Sequence, residues 1–263
     1  GPTGTGKSHV VRTLARFLNV PVAYVSATAL AETGYVGEKV EGCIERLIDA
    51  ARGDPVRAQR GFVFVDEVDK IRRPPVVLQR DVSGLGVQNN LLTLLDGRTI
   101  SSQGVTVDSA DVLFVFAGAV AGMEEILRRN HAAEDHVGFG RAPQAAGTEP
   151  SIGDLYRKVT REDLEEFGFV PELIGRFATI SVLDALSEDD LVSILSETQD
   201  SVVRKQQAYF ALHGIDLEFS PAALRAIARR AIRRQTGARG AASEVLRALD
   251  DVDWRPLELH EQG

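Results

Sequence analysis

Apolar residues recur at helical spacing at Val10, Val11, Leu14, Ala15, Phe17 and Leu18, which predicts a helix just behind a glycine-rich start. Pro21 to Ser26 is a short β-branched run and reads as a strand, and a helical stretch is expected from about Val40 to Ala51. Phe62-Val63-Phe64-Val65 is apolar without interruption, the profile of a parallel strand buried on both faces. Val87, Leu91, Leu92, Leu94 and Leu95 place a helix over Ser83 to Leu95, stopped by Asp96-Gly97. Ile100 to Asp108 reads as a polar loop or a short hairpin, and Val112 to Phe116 as a second fully apolar strand. Helices alternating with strands in this way predict an α/β fold, a parallel sheet covered by helices.

The pattern then changes. From Asn130 to Asp154 periodicity disappears amid Gly, Pro and Ala, and a mobile surface loop is expected. Pro171 to Phe177 reads as a short helix leading into a strand at Thr179 to Leu183. A second domain is expected from near Ser187, where Ser187 caps a helix carrying Glu188, Asp189 and Asp190 in its first turn. That helix is expected to run to about Leu212, followed by a short strand at Leu217 to Phe219 and a helix capped by Ser220-Pro221. Gly237-Ala238-Arg239-Gly240 would separate it from a last helix, Ser243 to Leu249. Arg229, Arg230, Arg233 and Arg234 read as a solvated helix face. The division is therefore a large domain over 1–185 and a small, mainly helical domain with a short strand over 186–263.

Composition narrows the function classes. With 263 residues, 44% hydrophobic and 26% charged, the chain has the make-up of a globular protein with a sizeable core. A net charge of −8 disfavours nucleic acid as a partner. The longest apolar stretch, Val112 to Met123, is too short to cross a bilayer, so no membrane association is expected. Cys43 is the single cysteine, which excludes an internal disulfide and a cysteine-rich zinc site, and a cytoplasmic setting is expected.

The chemistry starts at the first residue. Gly1-Pro2-Thr3-Gly4-Thr5-Gly6-Lys7-Ser8 matches the phosphate-binding pattern G-x-x-x-x-G-K-[ST] at every fixed position. The glycines let backbone N–H groups face a triphosphate, Lys7 can reach its β and γ phosphates, and the Ser8 hydroxyl can ligate Mg²⁺. ATP and Mg²⁺ are the cofactors expected. Asp66 and Glu67 end the Phe62 strand, where ligand sites of open α/β sheets lie. Asp66 would hold the Mg²⁺ water shell, and Glu67 could polarise a water for attack on the γ phosphate. Asp69 and Lys70 have no role that chemistry alone assigns.

Two loops present apolar side chains. Tyr35 and Val36, bracketed by Gly34 and Gly37, either grip a partner chain or pack back on the core. Val137, Gly138 and Phe139 form either a docking tip or a loop pinned by its own phenylalanine. Arg176 by itself is a surface cation whose meaning depends on what faces it.

Together the motifs resemble the ClpX branch of the AAA+ ATPases. The carrying residues are Gly1 to Ser8, Gly34 to Gly37, Phe64 to Lys70, Arg80 to Gly84, Val137 to Phe139, Pro171 to Arg176 and Thr236 to Gly240. The resemblance implies a homo-hexameric, ATP-dependent unfoldase that threads unfolded or tagged proteins into a ClpP-like peptidase. It implies that Tyr35 and Val36 are a pore loop and that Val137-Gly138-Phe139 docks on the peptidase. Arg176 would be the arginine finger reaching a neighbouring subunit's γ phosphate, and Arg239 a sensor contacting nucleotide from its own chain.

Some features depart from that pattern. The basic pore loop expected before the Val112 strand is absent, because Ile100 to Asp108 carries no Lys, Arg or His, and Leu85 stands where Glu is usual. A phosphate loop normally follows a strand, none precedes Gly1, and the single methionine is Met123, so a fragment is expected, with the strand and adenine-binding segment upstream. An HslU-like unfoldase and a nucleotide-binding scaffold that does not hydrolyse ATP are the alternatives.

Overall fold

The computed structural model describes residues 1–31, 40–73, 82–132 and 152–253. The chain divides into two compact units, Lys7–Val182 with Gly1, and Leu183–Gly263 with Pro2–Gly6.

In the first unit, helix α1 (Lys7–Leu18) leads to strand β1 (Val22–Ser26), and helices α2 (Ala27–Ala31), α3 (Gly42–Ala50) and α4 (Pro55–Gln59) precede strand β2 (Phe62–Asp66). Helix α5 (Val82–Leu95) is followed by a hairpin, β3 (Thr99–Ser102) and β4 (Val105–Asp108), and by strand β5 (Leu113–Phe116). Helices α6 (Met123–Ala132), α7 (Ile152–Arg157), α8 (Arg161–Phe167) and α9 (Pro171–Gly175) complete it.

The sheet is parallel, in the order β1-β2-β5. Strand β2 is central, and Phe62 to Val65 are buried, as a continuous apolar run requires. Its neighbour β5 has a strand on one side only among the described residues, and Leu113 is 60% exposed. The core joins Val63 and Val65 to Ile44, Leu47, Leu91, Leu94, Leu127 and Leu173. Helix α1 forms as its periodicity predicts, yet it buries only Ala15, and Val10, Leu14, Phe17 and Leu18 are exposed. The Ile100 segment is a hairpin rather than a loop. Gln103 and Gly104, at φ 53° and 77°, make the tight turn whose twist suits two-residue hairpins.

The expected strand at Thr179 to Leu183 is not formed. The segment is irregular and Ile180 is exposed, because no neighbouring strand offers it a ladder among the described residues. Of the loop expected at Asn130 to Asp154, the middle lies outside the described residues, and both ends are helical, since α6 continues through Ala132 and α7 begins at Ile152. The cause is a polar staple. Buried Asp163 accepts from the Asn130 amide at 2.9 Å and lies 3.4 Å from the His131 ring, while its backbone N–H is capped by Thr160.

The second unit holds helices α10 (Glu188–Ser196), α11 (Val202–Leu212), α12 (Pro221–Arg233) and α13 (Gly237–Asp253). Ser187 and Asp190 form the capping box that opens α10, and Ser220 caps α12 through the Ala223 N–H. Leu191, Leu195, Phe210, Ile227, Ala228 and Val245 form its core.

Four expectations fail here. The single helix to Leu212 is two, because the Ser201 hydroxyl caps a new helix at the Arg204 N–H, and Ser196 and Thr198 bond back to carbonyls of α10. Leu217 to Phe219 is not a strand, and the Leu217 carbonyl takes the Gln207 amide at 3.0 Å instead of a ladder partner. The Gly237 to Gly240 segment opens α13 rather than separating two helices. Gly240 is there for close approach, since a Cβ would fall on the Thr236 hydroxyl. Nor are the arginines of α12 simply solvated. Arg230 and Arg234, joined by Arg247, surround the buried Glu244 carboxylate, and Arg229 pairs with Glu188 at 2.9 Å.

Candidate nucleotide site

The phosphate loop runs straight into α1, so Lys7 and Ser8 occupy a helix N-terminus, where unpaired N–H groups and the helix dipole favour an anion. Gly4 and Gly6, at φ 76° and 90°, take the left-handed conformations that bend the loop. Thr5 Oγ1 donates to the Pro2 carbonyl at 3.1 Å and Lys7 Nζ to the Gly1 carbonyl at 2.8 Å, which closes the loop on itself. Burial pulls the Lys7 ammonium below the usual lysine value, against the pull of Asp66 and Asp69.

Beside Ser8 stands the end of β2. Ser8 Oγ donates to Asp66 Oδ2 at 2.9 Å, and Asp66 Oδ1 accepts the Glu67 N–H at 2.8 Å. A hydroxyl and a carboxylate in contact are hard oxygen donors of the kind that suits Mg²⁺. Glu67 has φ 58° and ψ 33°, a left-handed conformation that is strained for a residue with a side chain. The turn lets its carboxylate accept from Ser26 Oγ at 3.2 Å and Thr28 Oγ1 at 3.4 Å. Ser26 is there because the parallel register pairs it with Asp66.

Asp69 is buried, and its carboxylate accepts the Ala119 N–H at 3.1 Å. A Cβ on Gly118 would sit 2.6 Å from Asp69 Oδ1, so the Ala117 to Ala119 turn after β5 closes on that carboxylate. Ser26, Thr28 and Asp69 are the residues that sequence reasoning missed. The available signal was a hydroxyl at the exit of β1, facing the acids one strand away.

The structure thus brings Lys7, Ser8, Asp66 and Glu67 together. Arg176 caps α9, and its guanidinium pairs with Asp96. In the second unit Arg239 lies exposed in the first turn of α13, where the Ala238 N–H donates to the Gly4 carbonyl at 3.1 Å. Tyr35 and Val36, and Val137, Gly138 and Phe139, lie outside the described residues. No described helix is long and apolar enough to cross a membrane.

Comparison with known proteins gives the family. Residues 1–180 match the family model of the AAA domain (Cdc48 subfamily), and 186–252 that of the C-terminal, D2-small domain of ClpB protein. The ATP-dependent Clp protease ATP-binding subunit ClpX 3 of Methylococcus capsulatus is 40% identical over 261 residues, 93% of this chain and 60% of the relative. ClpX of Azotobacter vinelandii is 41% identical over 264 residues, covering 96% and 60%. ClpX of Treponema denticola is 39% identical over 265 residues, covering 96% and 63%. The chain spans about three fifths of the length of these curated relatives. The chain belongs to the AAA domain family, with the nucleotide-binding site which that membership carries, and it is similar in sequence to ClpX subunits.

Proposed function

We propose that this chain is the ATP-hydrolysing part of a cytoplasmic, ClpX-like unfoldase subunit that works as a homo-hexamer with a ClpP-like peptidase. The observation that carries the reading is the 2.9 Å contact of Ser8 with Asp66, with Glu67 next to it, at the mouth of the phosphate loop. Gly1 to Gly6 would wrap the phosphates of ATP, and Lys7 would orient the β and γ groups. Ser8 and Asp66 would hold Mg²⁺, Asp66 through water. The bound ion neutralises charge between the β and γ phosphates. Glu67 would take the proton of the attacking water. Arg176 would stabilise the transferring phosphoryl group of a neighbouring subunit, and Arg239 would contact nucleotide from its own chain. Tyr35 and Val36 would grip protein substrates, unfolded or tagged, and Val137, Gly138 and Phe139 would dock on the peptidase. The similarity to three relatives named ClpX favours this reading over an HslU-like one.

One observation favours a second reading, a scaffold that binds nucleotide without turning it over. The Thr99 to Asp108 hairpin is tight and carries no basic side chain for gripping substrate. One assay on the full chain separates the two: ATP hydrolysis measured beside unfolding of a tagged fluorescent protein. Unfolding that depends on hydrolysis is expected, and Tyr35→Ala should stop unfolding while sparing hydrolysis. Nucleotide binding without turnover in the unsubstituted chain would leave the scaffold reading standing.

A further inference from the structure

The Arg176 guanidinium is already paired within its own unit. Its Nη2 lies 2.5 Å from Asp96 Oδ1, and both side chains are half exposed, 53% and 49%. The backbone beneath each is held by the core. Arg176 follows Leu173 and Ile174, which are buried, and its N–H donates to the Leu173 carbonyl at 3.1 Å. Asp96 follows Leu94, which is fully buried, and its N–H donates to the Leu92 carbonyl at 2.9 Å. The two helices are pinned to each other by buried Gln88 of α5, whose Oε1 accepts the Val170 N–H at the start of α9 at 2.8 Å.

The corner after Asp96 is equally fixed. Gly97, at φ 95°, turns the chain where a Cβ would lie 3.0 Å from Ala110 Cβ. The Arg98 N–H donates to Ser109 Oγ at 2.8 Å, and that buried hydroxyl donates to the Leu94 carbonyl at 2.8 Å. Arg98 itself pairs with Glu41 at 2.5 Å. The position of the Asp96 backbone is therefore set by bonds that do not involve Arg176.

A half-exposed ion pair adds little to folding stability. With both backbones fixed, its effect falls on the arginine side chain, whose rotamer freedom is large. One Nη2 contact leaves Nε and Nη1 with donors for an anion. We propose that Asp96 is a positioning residue for Arg176, holding the guanidinium oriented so that it meets a neighbouring subunit's γ phosphate with little ordering left to do. The inference rests on the role given to Arg176 under the proposed function.

The test uses Asp96→Ala and Asp96→Glu in the full chain, with two readouts. The first is the rate at which phenylglyoxal modifies Arg176, followed by peptide mass spectrometry, which reports the pair whatever the activity. The second is steady-state ATP hydrolysis. For Asp96→Ala we expect modification roughly 3-fold faster or more, kcat lower by roughly 3- to 30-fold and KM for ATP unchanged, the pattern of an interaction realised in the transition state. Asp96→Glu should recover most of kcat. A kcat within about twofold of the unsubstituted chain, a change confined to KM, or a loss that Asp96→Glu does not recover would each overturn the positioning role. Arg176→Ala is the control for the underlying reading: if it turns over ATP normally, the finger assignment itself fails.

Discussion

Ser26 at the end of β1 donates to the carboxylate of Glu67 at 3.2 Å, one strand away. The contact follows from the parallel register, which sets Ser26 beside Asp66, and from the left-handed turn at Glu67. Thr28 adds a second hydroxyl at 3.4 Å. Two donors on one carboxylate fix its direction. Ser26→Ala with Thr28→Ala should lower kcat for ATP about 3- to 10-fold at constant KM, the signature of a misoriented base. An unchanged kcat would show that Glu67 is oriented by other means.

Glu67→Gln keeps the shape of the side chain and removes its basicity. Turnover should fall by about 10²-fold or more, while equilibrium binding of a fluorescent ATP analogue changes little. Asp66→Asn and Ser8→Ala act on the proposed ion site instead. In both, binding should lose its dependence on Mg²⁺, and stripping the ion with a chelator should weaken the unsubstituted chain to the same level. Mg²⁺-dependent binding that survives Asp66→Asn would contradict the assignment.

Gly118 and Gly86 make a paired stability test. A methyl group at Gly118 meets the Asp69 carboxylate at 2.6 Å, so Gly118→Ala should cost about 1–3 kcal/mol. Gly86 sits in α5 with nothing within 4 Å of an added Cβ, and Gly86→Ala should stabilise by about 0.5–1 kcal/mol. Urea melts of the two variants should move in opposite directions.

Burial pushes the Asp163 carboxyl up, but the Asn130 amide, the Thr160 N–H and hydroxyl, and His131 outweigh it and hold it below the ordinary 3.8. A carboxyl lowered in the folded state stabilises above its unfolded value and loses that contribution as pH falls through its folded value. Stability should therefore decline from about pH 4 downward, and Asp163→Asn should flatten that decline. Removing the carboxylate altogether with Asp163→Ala leaves the Asn130 amide and the Thr160 N–H without their acceptor and should cost about 1–3 kcal/mol near neutral pH. Equal acid sensitivity in the unsubstituted chain and Asp163→Asn would place the titration elsewhere.

The sequence by itself determined whatever depends on local chemistry. The loop from Gly1 to Ser8, the buried run from Phe62 to Val65 ending in Asp66 and Glu67, and the cap at Ser187 are set by residues a few positions apart. So are their helix and strand types, and all of these are present in the structure. Only tertiary structure decided the rest. A strand needs a partner, and among the described residues none lies beside Thr179 to Leu183 or Leu217 to Phe219, which are irregular despite their composition. Gly240 is a glycine in the first turn of α13 because Thr236 packs where a side chain would be. Asp69, Ser26 and Asp96 acquire their meaning only from Ala119, Glu67 and Arg176, which lie 50, 41 and 80 positions further along the chain and are brought close by sheet register and by the packing of α5 with α9. Local propensity chooses the elements, whereas hydrogen-bond partners distant in sequence decide which of them persist and what their polar side chains face.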